Sequence, residues 1–209
     1  MLNKFLNLLA PVSCQVCGTK GILCCASHFA GREPIAESAG GIAGFYALDL
    51  DDQLLKVFAA YKDRSITALA KDLSEIAQPL TKTPPWLSAD LLVHPPSSRS
   101  AYRRRGFVPT KLILQKLRQP LEIRSLSLSR QPIDQRKLNA SQRAQNLAGS
   151  FKSGPLVGKS VLLFDDVMTT SATIQEMSRA VTKAGGVVTG FCVVARRLLE
   201  SDPRHRNQA

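Results

Sequence analysis

The sequence is short of acidic residues. Its 209 residues hold 16 Asp and Glu against 28 Lys and Arg, a formal net charge of +12. Such an imbalance predicts attraction to polyanions: nucleic acid, phosphorylated metabolites or an anionic membrane surface. The chain also lacks any apolar run as long as a membrane-spanning helix, so no membrane span is expected. Its 13 Gly and 12 Pro follow no period, which excludes a collagen-like or low-complexity chain, and no internal repeat is visible. At 44% hydrophobic residues, disorder throughout is excluded, and the length suits one domain with a small appendage. An export signal is missing too. The apolar run Phe5, Leu6, Leu8, Leu9 is cut short by Pro11, and no small-residue cleavage site follows. We read Met1 to Val12 as a short amphipathic helix. With an odd count of five Cys, this points to a reducing, cytoplasmic setting.

The charge that is present is concentrated. Arg99 to Lys152 carries thirteen Lys/Arg and two acids, Glu122 and Asp134, a net of +11, and the remainder is close to neutral. A merely solvated surface accounts poorly for that concentration.

Four of the five Cys lie between Cys14 and Cys25. Cys14-x2-Cys17 lets one tight turn present two sulfurs to a tetrahedral metal, and Gly18 suits such a turn. Six residues later comes Cys24-Cys25. A second Cys-x2-Cys would place its last ligand at position 27, but Ser27 stands there. Cys25 or His28 remains for the fourth place, and His28, four residues past Cys24, reaches more easily. The candidate zinc ligands are therefore Cys14, Cys17, Cys24 and His28. The competing reading is a set of reduced thiols in a metal-free finger. Cys192 sits in an apolar strand pattern and reads as core.

Along the chain, Gly40 to Tyr46 reads as a turn into a strand, Asp49 to Tyr61 as a helix and Thr67 to Leu80 as another. Thr83-Pro84-Pro85 reads as a linker. Ala89 to His94 reads as a buried strand stopped by Pro95-Pro96. Thr110 to Leu117 reads as helix, Leu121 to Leu128 as strand and Lys159 to Asp165 as a strongly apolar strand. Ser171 to Ala184 reads as an amphipathic helix capped by Gly185-Gly186, and Val187 to Ala195 as a buried strand. Apolar strands alternating with helices imply a parallel sheet and an α/β fold.

Chemistry concentrates at Asp165-Asp166 and the following Val167-Met168-Thr169-Thr170-Ser171-Ala172-Thr173. Ligands of open parallel sheets bind at the carboxyl ends of strands. Adjacent carboxylates there are costly unless they meet hydroxyls or a cation. The hydroxyl-rich turn opening a helix offers amides and hydroxyls to an anion. Acids for hydroxyls beside a cradle for phosphate are what a ribose 5-phosphate demands. A receiver domain also has an acidic pair after an apolar strand, but on its first strand. A plain strand-turn-helix leaves the paired acids without a purpose.

The segment resembles the phosphoribosyl pyrophosphate (PRPP) motif of type I phosphoribosyltransferases. By that resemblance Asp165 and Asp166 are the catalytic pair that orients the ribose hydroxyls, and residues 167–173 wrap the 5′-phosphate. Many members have Gly where Ser171 stands. Further segments resemble the ComF, or GntX-like, competence family, whose members look like a Cys-rich finger joined to a phosphoribosyltransferase-like domain. They are Ala60-Tyr61-Lys62-Asp63, Val93-His94-Pro95-Pro96 and Arg103-Arg104-Arg105-Gly106-Phe107. The spaced Gln135, Leu138, Arg143, Asn146, Gly149 and Phe151 complete the set. Where most members continue Asn-Gln after the Phe, this chain has Val108-Pro109.

The resemblance implies residues 1–38 as a zinc-finger-like unit, 39–198 as a type I phosphoribosyltransferase-like parallel sheet flanked by helices, and 199–209 as a polar tail. It implies PRPP with Mg²⁺ as ligand, structural Zn²⁺, and a part in DNA uptake on the cytoplasmic side beside a helicase-like ATPase. Arg105 and Arg143 are expected to clamp pyrophosphate, since guanidinium forks match phosphate oxygens. Arg103, Arg104 and Arg105 suit a single-stranded DNA backbone, with Tyr102 stacking on bases. Phe107 reads rather as core. Gln131 to Gly149 reads as a flap over the substrate. A metabolic phosphoribosyltransferase acting on a base or amine, and a non-catalytic DNA-binding adaptor, are the competing functions.

Overall fold

The structure is a computed structural model that describes residues 12–130 and 146–198. The expected N-terminal helix falls almost wholly outside these residues. So do most of the expected flap, with Gln135, Leu138 and Arg143, and the tail from 199.

Among the described residues, eight strands and six α-helices form a mixed α/β unit, as the alternation of apolar strands and helices requires. The strands are β1 (Ile35–Ala39), β2 (Ile42–Asp49), β3 (Leu91–His94), β4 (Glu122–Ser125), β5 (Ser127–Leu128), β6 (Phe151–Lys152), β7 (Ser160–Met168) and β8 (Val187–Arg196). The helices are α1 (Asp52–Lys62), α2 (Leu69–Ala77), α3 (Pro84–Leu87), α4 (Arg99–Arg105), α5 (Pro109–Leu114) and α6 (Ala172–Lys183). The main sheet runs β1-β2-β8-β7-β3-β4 and is parallel except for the β1–β2 hairpin. That hairpin closes through Gly40 and Gly41, both at positive φ, as a two-residue turn matched to strand twist demands.

Strand alternation sorts the core into two layers. Leu92, Leu162, Phe164, Cys192 and Val194 pack towards α1 and α2, while Val93, Val161, Leu163, Phe191 and Val193 pack towards α6. The central strands are therefore apolar on both faces, the mark of a covered parallel sheet. No helix among the described residues is long and apolar enough to cross a membrane.

Three local expectations need correction. Pro84-Pro85 is no linker. The pair occupies the first turn of α3, where a missing N–H is harmless, and Trp86 packs edge-on to Phe164 with ring centroids 5.9 Å apart. Leu121 to Leu128 is two strands: β4 extends the main sheet, and β5 pairs with β6 in a separate ribbon. The strand carrying Asp165 runs on to Met168, so the acidic pair lies inside β7 rather than at its end. Strand β1, which holds Ser38 and Ala39, belongs to the main sheet.

Strands β1 and β6 and helix α4 have no counterpart among the elements expected from sequence. Helix α4 starts at Ser98, whose hydroxyl accepts from the Ala101 amide at 3.2 Å, and stops at Gly106 in the left-handed region. It carries the Arg run to the carboxyl edge of the sheet.

Candidate functional site

Strand alternation also decides what each carboxylate meets. Asp166 follows Leu162 and Phe164 on the α1 side, and its Oδ1 lies 2.6 Å from Nζ of Lys62, at the end of α1. The Thr110 hydroxyl, at the start of α5, donates to Asp166 Oδ2 at 3.2 Å and reaches Asp165 Oδ1 at 3.4 Å. The Asp166 amide donates to Asp165 Oδ1 at 2.8 Å. Both hydrogen bonds of Asp165 fall on Oδ1, so Oδ2 stays available to a ligand hydroxyl or a hydrated cation. Tyr61 fixes the framework. Its buried hydroxyl donates to Pro109 O at 2.8 Å, tying the end of α1 to the start of α5, and its ring meets that of Phe107, which is partly buried against the core.

The two carboxylates are not equivalent. Burial, with the adjacent Asp166 charge, raises Asp165 to about 7 against the partial relief of Lys62. Near neutral pH the Asp165 carboxyl is thus close to half-protonated.

A cleft of about 330 Å³ opens over this pair. Its floor is Asp165, Asp166 and Lys62, one wall is Arg104 and Arg105 of α4, and Pro95 to Ser98 after β3 form another side. Leu128, Leu147 and Phe151 bring the β5–β6 ribbon to its far edge. Of the expected ligand residues, Asp165, Asp166, Arg105 and Thr173 therefore meet in one place. The side chain of Met168 does not. It is buried in the core with Ala172, and Val167 packs against the opposite layer, so these positions can offer only backbone. Ser171 takes φ −71, so a side chain there carries no backbone strain. Of the residues expected to meet DNA, Arg104 and Arg105 line the cleft, whereas Tyr102 and Arg103 are exposed on α4 outside its lining. Arg143 lies outside the described residues.

Three contributors were given no individual role from sequence. Thr110 is 55 residues from Asp165, and no local pattern marks it. His94 at the end of β3 is buried and uncharged, its pKa lowered chiefly by desolvation. Its Nδ1 donates to Pro95 O at 2.9 Å and its Nε2 accepts from Ser125 at 2.7 Å, which locks β3 to β4 beside the cleft. Glu176 on α6 accepts from the Gly149 and Phe151 amides at 3.0 and 2.8 Å and pairs with Arg179. Burial pushes its pKa up, but Arg179 and the two amides more than offset this and hold it below the ordinary value. It anchors the ribbon that walls the cleft.

The Cys-rich unit folds differently from its expected ligand set. The sulfurs of Cys14, Cys17 and Cys25 and a ring nitrogen of His28 lie within 4.8 Å of one another, and Cys24 is not among them. The backbone at Cys25 is extended, so neighbouring side chains leave on opposite sides. Cys24 enters the core beside Phe29, where burial pushes its thiol up to about 12. The remaining four fit a metal. Cys17 and Cys25 sulfurs are 3.7 Å apart, close to the roughly 3.8 Å that tetrahedral zinc with 2.3 Å bonds requires. Nε2 of His28 is buried without a hydrogen-bond partner among the described residues, a cost that a metal bond removes. The Thr19 hydroxyl at 3.1 Å brings Cys17 down to about 7, favouring a thiolate.

No protein-family model matches the chain. Among characterised proteins it is similar to the DNA utilization protein YhgH of Escherichia coli K12, at 27% identity over 114 residues, which are 52% of this chain and 50% of YhgH. The chain thus spans about half the length of that relative. It is also similar to orotate phosphoribosyltransferase of Xylella fastidiosa, 39% identical over 49 residues, 23% of this chain and 22% of the enzyme. Solved structures that align with it include a hypoxanthine phosphoribosyltransferase from Staphylococcus aureus (TM-score 0.38, 13% identity, 65% of this chain and 70% of that one). Another is an adenine phosphoribosyltransferase from Thermoanaerobacter pseudethanolicus (TM-score 0.36, 16% identity, 85% and 90%).

The raised Asp165 has a measurable consequence. A carboxyl whose folded pKa of about 7 exceeds its ordinary 3.8 stabilises the fold below the lower value and loses that contribution as pH rises through the higher one. In urea unfolding, Asp165→Asn should therefore gain stability relative to the parent as pH rises from about 3.8 to about 7, and hold that gain above it. A pH-independent difference would show that Asp165 titrates normally.

Proposed function

We propose that the cleft binds PRPP and that the chain is a ComF-like protein with a phosphoribosyltransferase-like domain acting in DNA uptake. The observation that carries this reading is the buried Asp165–Asp166 pair, counter-charged by Lys62, facing a cleft walled by Arg104 and Arg105. In it, Asp165 Oδ2 and Asp166 accept from the ribose 2′- and 3′-hydroxyls. Residues 169–173, which open α6, hold the 5′-phosphate with amides and hydroxyls, and the Arg side chains hold pyrophosphate. Mg²⁺, entering with PRPP, would screen the charge that builds on departing pyrophosphate. In the transfer itself the C1–O bond breaks, its electron pair leaves with pyrophosphate, and an acceptor nucleophile bonds to C1. The chain's part is to orient ribose and hold the leaving group.

Single-stranded DNA is the second ligand in this reading. Tyr102 and Arg103 stand exposed on α4 next to the cleft, where a phosphate backbone and a stacked base find partners. The similarity to a DNA utilization protein supports this half; a cytoplasmic site of action and a helicase-like ATPase partner belong to the same reading. The likeness to an orotate phosphoribosyltransferase favours a second reading, a metabolic transferase acting on a base or amine. Zinc in the Cys14, Cys17, Cys25, His28 cluster is the structural metal of either.

One titration series separates these readings. PRPP with Mg²⁺ should bind the parent and lose at least tenfold in affinity in Asp165→Asn/Asp166→Asn, while single-stranded DNA binding at low salt survives that change and weakens in Arg103→Ala. Unchanged PRPP binding overturns the site. Pyrophosphate release with orotate or another base, with no DNA binding at low salt, selects the metabolic enzyme.

Metal content tests the cluster. Purified protein should carry one zinc per chain, lost in Cys25→Ser and retained in Cys24→Ser. Loss in Cys24→Ser with retention in Cys25→Ser would restore the ligand set expected from spacing.

A further inference from the structure

The acidic pair of the cleft has a cation built into the chain. Lys62 Nζ lies 2.6 Å from Asp166 Oδ1, and the two side chains are only 22% and 9% exposed, so salt screens the contact weakly. More than the carboxylate holds the ammonium there. It lies 5.2 Å from the centroid of the Phe58 ring, one turn back on α1, and Phe58 is itself buried. Lys62 is also the last residue of α1, where the negative end of the helix dipole favours a cation. The Tyr61 hydroxyl on Pro109 O fixes that helix end.

A divalent cation drawn to the pair meets a crowded site. Mg²⁺ sits roughly 2.1 Å from its oxygen ligands and keeps several waters. The ammonium against Asp166 Oδ1 already fills that side. The Thr110 hydroxyl covers Asp166 Oδ2 and Asp165 Oδ1, at 3.2 and 3.4 Å, and Asp165 Oδ1 also takes the Asp166 amide. A metal on the pair has to displace Lys62 or lie beside its charge, and either costs affinity. A ribose hydroxyl meets no such barrier. It is neutral, and a carboxylate oxygen with one hydrogen bond keeps a lone pair for a second. Arg104 and Arg105, which line the cleft from α4, are left for the pyrophosphate.

We propose that Lys62 is a positioning residue that holds the cation place of the acidic pair, so that the cleft takes a pentose 5-phosphate without a divalent metal. The inference rests on the reading of the cleft as a PRPP site and narrows it. Mg²⁺ serves the pyrophosphate, while Asp165 and Asp166 receive the sugar with Lys62 as their counter-ion.

Two measurements on the full-length protein test this. In the first, Mn²⁺ alone is titrated at about pH 8, above the value of about 7 at which Asp165 titrates, and paramagnetic broadening of the Thr110, Asp165 and Asp166 amides is followed. Lys62→Gln should bind Mn²⁺ at the pair at least tenfold more tightly than the parent. Lys56→Gln, which removes an exposed charge from the same helix, should match the parent, and so should Lys62→Arg, which keeps a cation. In the second, ribose 5-phosphate is titrated with Mg²⁺ and without added divalent metal. The parent should bind equally well in both, within about twofold, whereas Lys62→Gln should bind at least tenfold more weakly without Mg²⁺. Equal Mn²⁺ affinity in Lys62→Gln and the parent overturns the proposal, and so does parent binding of ribose 5-phosphate that requires Mg²⁺. Failure of ribose 5-phosphate to bind the parent in either condition overturns the reading of the cleft itself, and the proposal with it. Lys62→Gln should keep the parent's amide spectrum away from the cleft, which separates a lost counter-ion from a lost fold.

Discussion

Two adjacent carboxylates inside a buried strand are the constraint on which the site depends. Asp165 and Asp166 cannot both ionise out of water without a counter-charge, and the fold supplies one through Lys62 at 2.6 Å. Much of the surrounding structure serves that contact. The Tyr61 hydroxyl ties α1 to α5, so Lys62 and Thr110 arrive at the pair together. Strand alternation turns Asp166 towards α1 and Lys62, while burial and the neighbouring Asp166 charge raise the Asp165 carboxyl to about 7. What remains is a site with one firm acceptor, one carboxyl poised near neutrality, and an Arg wall within the same cleft.

The charge concentration takes on structural meaning through α4. The +11 segment is not a uniform basic surface. Arg104 and Arg105 line the cleft, while Tyr102 and Arg103 are exposed outside it, so one seven-residue helix turns part of the run to the cleft and part to solvent. The opposite sign gathers at Asp72 and Glu75 beside the Cys-rich unit.

Long periodic elements were legible in the sequence. The apolar runs of β3, β7 and β8 and the amphipathic α6 fall where spacing puts them, because burial on one or both faces writes a period into the residues. Short elements were not. Pro84-Pro85 reads alike as a linker or as a helix's first turn, and only the burial of Trp86 decides. Leu126 sits in a plain alternating pattern, yet the chain changes sheets there. Within the site, the acids and the Arg run were legible because their types are unusual in such positions. Thr110 was not, being an ordinary residue brought 55 positions along by tertiary packing. The cluster at Cys14 was legible in composition but not in detail. Adjacent Cys24 and Cys25 differ only in which side of an extended backbone they leave, and Cys24 went to the core.

If the cleft takes PRPP, the Asp165–Asp166 pair receives ribose hydroxyls, and a crystal structure of the protein with ribose 5-phosphate would show it. Both vicinal hydroxyls are expected within hydrogen-bond distance of Asp165 and Asp166, with the phosphate on the amides of residues 169–173. Sugar density elsewhere, or a phosphate seated on Lys62 with the hydroxyls away from both acids, would contradict it.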